Sequence, residues 1–525
     1  MKFDVVIAGG GFAGAYCARA LARELGATAQ TRVALVAQEN VLTFQPMLAE
    51  VAGSSLSPLD VVNPLRDFCR GVNVLRGTIR AVDWAKKSLC LDAGRFTPDH
   101  VIEFEHLVIA IGSVVDFSQV PGMAQHGLPL KTVAHALRLR SAVINRLEEA
   151  NLTTDPLARR HLLTFVVVGG GYTGVETAGQ LVDLLQDVQE LYSNLHREKI
   201  RVVLVHSRGH LLAEIGEKLG DYAQCVLESR GTEVRLNTRV IEVTADRAML
   251  SDGSFIETHT ILSTVGNATH PVVLDLCRQL TLDPPRGRIP TDAFMRVQGQ
   301  TQLWAAGDCA AVPWGAEASP PTAQFASRQG VQLGRNLARV LQGGEPLPFS
   351  HRHLGQLATV GNRAAVAEIM GFRFSGFLAW WLWRSIYLAK LPGIARKLRV
   401  MIDWSFELFF PRDISLLLPP PEEPLRAVHY RQDAVIFARG TPVQGFFSVQ
   451  DGRVEARRPG EPAQHFTRGQ LLDGALQAAD GTWSCDAVAS EPTNVLLVRG
   501  LALELLRRNT SSSAETPPLA AAPLA

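Results

Sequence analysis

Two doubly wound α/β domains, followed by an amphipathic segment and a small all-β module, are the fold class this sequence predicts. Three observations predict it. An apolar strand, a glycine-rich turn and a helical stretch follow one another at residues 4–14, and the same succession returns at residues 164–174. Each is followed by a second apolar strand, Val33-Ala34-Leu35-Val36 and Val202-Val203-Leu204-Val205, completing a βαβ unit. Beyond residue 424 the pattern changes to short alternating strands broken by Gly and Pro.

A chain of 525 residues is too long for one ordinary domain. Its 46% apolar and 20% charged residues are ordinary for a protein with a full core. A net charge of +1 argues against nucleic acid as the main partner, because phosphate binding needs a basic excess. The seven cysteines have no close pair, which predicts reduced thiols of a cytosolic compartment and offers no metal-ligand spacing. The opening Met1-Lys2-Phe3 runs straight into a strand, so no signal peptide is expected. No stretch reaches the roughly 20 apolar residues that cross a bilayer.

The first turn, Gly9-x-Gly11-x-x-Gly14, follows a strand and opens a helix. Its first glycine permits the tight turn and its second lets the backbone approach a pyrophosphate. The third lets helix and strand pack closely, while the helix start offers free N–H groups to the anion. Gly9, Gly11, Phe12, Ala13 and Gly14 are therefore expected against a dinucleotide. The acid that would bind its ribose is sought at the end of the second strand, where Glu39 is the only candidate. A solvated loop carboxylate is the competing reading.

The second turn, Gly169-x-Gly171-x-x-Gly174-x-Glu176, repeats the logic, and two such turns call for two dinucleotides, a flavin and NAD(P)H. The following strand ends in His206-Ser207-Arg208, with no acid for a ribose 2′-hydroxyl. Either Arg208 admits a 2′-phosphate, or His206 caps the strand and backbone groups hold NADH. Glu176 either complements the helix dipole or lies under the nicotinamide and flavin rings.

The strand at residues 303–306 ends in Gly307-Asp308, where small residues admit a ribityl chain and a carboxylate can accept from its hydroxyls. A helix is predicted from Thr322 to about Leu341, capped by Thr322 and carrying Gln324 and Gln329. No C-x-x-C lies near either turn, so the relay for disulfide reduction is absent. Residues 372–410 hold eleven aromatics, four of them Trp, and five cations but no acid between Arg384 and Ile402. That clustering favours a lipid surface over a buried helix or dimer face, although the aromatics do not share one helical face. The proline run at 419–421 reads as a stiff linker, residues 501–508 as a closing helix, and residues 509–525 as a disordered tail.

Residues 3–417 resemble the type II NADH:quinone oxidoreductases, single-flavin NADH dehydrogenases that do not pump protons. The pieces carrying the resemblance begin with Phe44-Gln45-Pro46-Met47-Leu48-Ala49-Glu50-Val51-Ala52, residues 106–113 ending in Gly112-Ser113, and Leu130-Lys131-Thr132. The second glycine turn with Glu176, Ala323-Gln324 to Gln329-Gly330, and residues 376–384 complete them. The resemblance implies Rossmann-type domains with FAD on residues 1–118 and 288–350 and NAD(P)H on residues 119–287. A membrane-association segment is expected over 351–418. It implies Glu176 and Gln324 in catalysis, and Gln324 and Gln329 toward the quinone. Gly112, Asp308 and Gln324 join Glu39 at FAD, while Gly171, His206 and Gly266 join Glu176 at NADH, with NADPH left open. A peripheral place on the cytoplasmic face of the inner membrane is expected, and a homodimer is left open.

Two departures touch nucleotide preference: Ala37 and His206 stand where the family carries its ribose acids. Residues 425–508 resemble a cyclic-nucleotide-binding β-roll through the turn from Phe446 to Arg453. The phosphate-binding arginine is missing, so the module is expected to serve packing, self-association or another ligand. Two other classes compete: an NAD(P)H reductase for a soluble electron carrier, and a non-catalytic flavin redox sensor with the module as output. A carotenoid or sulfide oxidoreductase shares the two-turn plan, but sulfide chemistry needs cysteines near the flavin that the sequence does not place there.

Overall fold

The computed structural model of the chain describes residues 1–94, 96–352, 355–361, 363–416, 425–443, 445–472, 476–478 and 481–498. The predicted linker, closing helix and tail lie outside them. The first sheet has seven strands. In its parallel centre, strand Lys2–Ala8 lies between Val33–Ala37 and His100–Ile109, with Val5 opposite both Val33 and His106. Every residue of Val33–Ala37 is buried, as expected of a parallel strand covered on both faces. Strand Leu303–Ala305 returns from far along the chain to pair with His100–Ile109.

The second sheet is five-stranded and parallel, in the order Gly127–Pro129, Thr260–Ser263, Thr164–Val168, Arg201–Val205, Thr232–Arg235. Between the two sheets, Ser113–Val115 and Asn267–Thr269 pair antiparallel and form the crossover. Helix Ala323–Leu341 lies on the first glycine helix, Phe12–Leu25, almost backbone to backbone. A β-carbon on Gly330 would sit 2.3 Å from the Ala13 carbonyl oxygen, and one on Gly334 2.5 Å from that of Cys17. Side chains there would force the helices apart.

After a three-stranded antiparallel sheet come helices Gly376–Lys390 and Ile394–Phe406. The break at Pro392-Gly393, where Gly393 has φ +87°, explains why no single helical face collects the aromatics. Ala379, Trp383, Val400 and Trp404 turn inward, while Phe377, Trp381, Ile394, Leu398, Met401 and Phe410 stay exposed.

Residues 425–498 form two four-stranded antiparallel sheets around a core in which Phe437 and Trp483 stack at 3.8 Å. This module touches the second domain through His429. Its backbone N–H donates to His126 Nε2 (3.0 Å), and its ring lies between Asn494 Oδ1 (2.7 Å) and Glu242 Oε1 (3.2 Å).

Candidate active site

At the first turn, Gly9 has φ +115° and donates its N–H to the Val36 carbonyl at 2.8 Å. A β-carbon on Gly14 would lie 1.9 Å from the Gly9 carbonyl oxygen, whereas one on Gly11 would meet nothing within 4 Å. Gly11 thus faces open space, and the helix beginning at Phe12 has no side-chain cap on its leading N–H groups. That space is a cleft of about 270 Å³ lined by Gly9, Gly11, Phe12, Ala37, Glu39 and Lys131 among others. An extended dinucleotide with an anionic centre fits this cradle. Partial burial raises the Glu39 carboxyl above its ordinary range.

The cleft leads toward two opposite charges. Lys131 Nζ donates to Ser113 Oγ (2.7 Å) and Asn267 Oδ1 (3.2 Å), both on the crossover strands. Burial lowers this ammonium and raises the Asp308 carboxyl, while Lys131 and Arg288 partly counter the shift at Asp308. Gly112, at φ +69°, turns the chain between strands His100–Ile109 and Ser113–Val115. Helix Ala323–Leu341 is capped by Thr322 as predicted, with Gln324 half-buried in its first turn.

Gln329 lies buried on the same helix. Its Oε1 accepts the Gly307 N–H (2.8 Å) and its Nε2 donates to Ser319 Oγ (2.7 Å), leaving it 1% exposed. Through these two bonds Gln329 holds the Gly307-Asp308 turn.

The second turn repeats the first. Gly169 has φ +112° and donates to Val205 O at 2.9 Å, and a β-carbon on Gly174 would lie 1.7 Å from the Gly169 carbonyl oxygen. Gly171 again faces open space. His206 Nδ1 accepts the Gly170 N–H at 3.0 Å, so that nitrogen carries no proton, and burial keeps the ring below its ordinary pKa. Gly266 has φ +87°, and a β-carbon there would lie 2.1 Å from the Asp116 carbonyl oxygen, where the crossover strands meet.

From the second glycine helix, Tyr172–Val188, Glu176 points into the interior. Its Oε1 accepts the Thr359 N–H at 3.2 Å. Burial pushes its carboxyl up to about 8; the Thr359 N–H opposes this, and the charge of Glu50 adds to it. Glu50 in turn accepts from Trp404 Nε1 at 3.2 Å and is pushed up to about 7, chiefly by burial and against the pull of Arg384. The Tyr387 phenol, also raised by burial, feels Glu176 and packs edge-on against Trp383 (4.6 Å) and Phe44 (6.1 Å).

Reasoning from residues alone singled out neither Glu50 nor Tyr387. The one available signal was Glu50's place within the 44–52 segment. Arg412 was missed too. Its side chain is 4% exposed and donates to the carbonyls of Gly53 (2.7 Å) and Gln180 (3.1 Å), and to Glu407 Oε1 (2.7 Å).

Comparison with known proteins places this geometry. Residues 3–330 match the pyridine nucleotide-disulphide oxidoreductase model, and residues 353–413 match that of the NDH2 C-terminal domain. The type II NADH:quinone oxidoreductase Ndh of Mycobacterium tuberculosis is 30% identical over 416 residues, 77% of this chain and 88% of that one. A probable NADH dehydrogenase of Dictyostelium discoideum is 29% identical over 73% of this chain and 85% of its own length. Among solved structures, NDH2 of Plasmodium falciparum in complex with NADH shares the fold with a TM-score of 0.73 at 17% identity. It covers 79% of this chain and 100% of that one. With both glycine cradles and the C-terminal segment accounted for, the chain belongs to the type II NADH:quinone oxidoreductase family.

Proposed function

We propose that the chain oxidises NADH with FAD as its resident cofactor and delivers two electrons to a quinone. The observation that carries this reading is the convergence of two glycine cradles with two buried, proton-holding carboxyls, Glu176 and Glu50, beneath an aromatic, basic surface. FAD, when bound, supplies the hydride acceptor and the store for two electrons. In this reading FAD lies along residues 1–118 and 288–350, and NADH on residues 119–287.

The chain's own residues bind, orient and protonate. Gly11 and Gly171 let backbone N–H groups approach the two pyrophosphates. Lys131 and Asp308, opposite charges held at one end of the cleft, orient the flavin chain, and Glu39 reaches its ribose. Gln324 offers its amide to the flavin ring and the quinone. Glu176 keeps a proton on its carboxyl at neutral pH and gives it to a quinone oxygen, with Glu50 as its replenishing neighbour. Phe44, Trp383 and Tyr387 exclude water from that transfer.

Among the described residues no helix is long and apolar enough to cross a membrane. The exposed Phe377, Trp381, Ile394, Leu398, Met401 and Phe410 accompany Lys390, Arg396, Lys397 and Arg399. Rings and cations of this kind suit the headgroup region of an anionic leaflet, next to the hydrocarbon layer that dissolves a quinone. We assign the protein to the cytoplasmic face of the inner membrane as a peripheral enzyme. The test is turnover of the purified, FAD-replete protein with NADH and a short-chain quinone. A colourless protein that takes up no FAD, or turnover only with a soluble electron-carrier protein, would overturn the reading.

A further inference from the structure

Matching hydrogen bonds set the two nucleotide units in register at the end of their second strands. Gly9 donates to Val36 O (2.8 Å) as Gly169 does to Val205 O (2.9 Å), which sets Ala37 against His206. A second correspondence agrees: a β-carbon on Gly10 would lie 2.6 Å from Ala37 Cβ, and one on Gly170 2.6 Å from His206 Cγ. In both units, too, the carbonyl of that residue accepts from the loop after the next strand, Gly77 N–H in one and Thr238 N–H in the other. The next two positions therefore pair Gln38 with Ser207 and Glu39 with Arg208.

The charge at the last pair is inverted. Glu39 lines the first cleft, where a carboxylate can accept from ribose hydroxyls. Arg208 holds the same place in the second unit, exposed, and its carbonyl is anchored by the Asn237 N–H at 3.1 Å. Among the described residues no salt bridge engages Arg208. The carboxylate of Glu233 is taken by Arg201 and Arg235, each at 2.7 Å. Glu214, whose charge is felt at His206 and Tyr172, lies exposed in the following loop, with its carbonyl accepting from Gln356 at 3.2 Å.

Discrimination against a 2′-phosphate rests on a carboxylate that binds the 2′-hydroxyl and repels the phosphate. At residues 206–208 there is none. Instead, a guanidinium able to grip phosphate by two N–H groups stands beside a serine hydroxyl. His206, with its Nδ1 taken by the glycine turn, adds no negative charge.

We propose that Ser207 and Arg208 form a 2′-phosphate subsite, so that this chain takes NADPH as electron donor at least as well as NADH. The proposal rests on reading the second unit as the nicotinamide-dinucleotide site. The test is calorimetric titration of the FAD-replete, full-length protein with NAD⁺, NADP⁺, ADP and adenosine 2′,5′-bisphosphate, alongside kcat/KM for NADH and NADPH. NADP⁺ and the bisphosphate should bind at least as tightly as their counterparts, with an advantage that shrinks as salt is raised. Arg208→Glu should lower the NADP⁺-to-NAD⁺ affinity ratio on the order of 10- to 100-fold, with Arg208→Lys in between. The flavin spectrum checks that each variant is folded, and if Arg208→Glu fails that check, the wild-type ratio decides. NAD⁺ binding with NADP⁺ a hundredfold weaker, or a ratio indifferent to Arg208→Glu, would overturn the subsite and leave the site reading standing. Failure of both dinucleotides to bind would overturn the site reading itself.

Discussion

Glu176 and Glu50 are both buried carboxyls, and the charge of Glu50 adds to the upward push on Glu176. Removing the proton donor by Glu176→Gln should slow quinone reduction about 100-fold while flavin reduction by NADH persists, as stopped-flow absorbance would resolve. In the wild type the quinone step should fall as pH rises through about 8, where the carboxyl loses its proton, and the variant should lack that limb. Stability follows the same proton. The unfolded carboxyl releases it near its ordinary value of 4.5 and the folded one near 8, so over that window the folded state holds the extra proton. This contribution is fully present below 4.5 and is lost as pH rises toward 8. Glu176→Gln should therefore raise Tm by a few degrees at pH 8.5 and by less at pH 5, and an equal gain at both would contradict the shift.

At the scale of elements, Arg412 ties the C-terminal segment to Gly53 and to Gln180 and Asp183 on the second glycine helix. Arg412→Ala leaves Asp183 and Glu407 short of a buried cation and should cost about 3–5 kcal/mol in denaturant unfolding. The two surface helices call for a different measurement. Replacing Phe377, Trp381 and Phe410 together by Ser should abolish sedimentation with anionic vesicles and leave the fold intact by circular dichroism. Retained sedimentation would argue against this lipid-facing surface. Both glycine helices and the helix begun at Thr322 were legible in sequence, because local chemistry dictates them: positive φ, close approach and a side-chain cap. The bend at Gly393 and the committed amide of Gln329 were not, since each depends on what tertiary packing brings alongside. The pairing of Glu50 with Glu176 was illegible for the same reason, as the partners are 126 positions apart and share no periodicity.

Over the whole molecule, the β-module is held against the second domain by a small polar contact. Burial pushes the His126 imidazole down to about 4, which keeps its Nε2 free to accept from His429. His429→Ala leaves Glu242 and Asn494 without that ring, and should loosen docking by about 1–3 kcal/mol. Faster proteolytic release of the module, with the flavin-bearing part still coloured, is the expected result; unchanged release would remove His429 from the contact. The first sheet, meanwhile, is completed late. Strand His100–Ile109 meets Leu303–Ala305 only after the intervening domain, and helix Phe12–Leu25 waits for Ala323–Leu341. During synthesis, then, roughly 305 residues must leave the ribosome before that bare strand edge is covered. Until that moment the nascent polypeptide carries an unprotected β-edge, the kind of surface that recruits chaperones, and the flavin can be captured only after translation has passed that point.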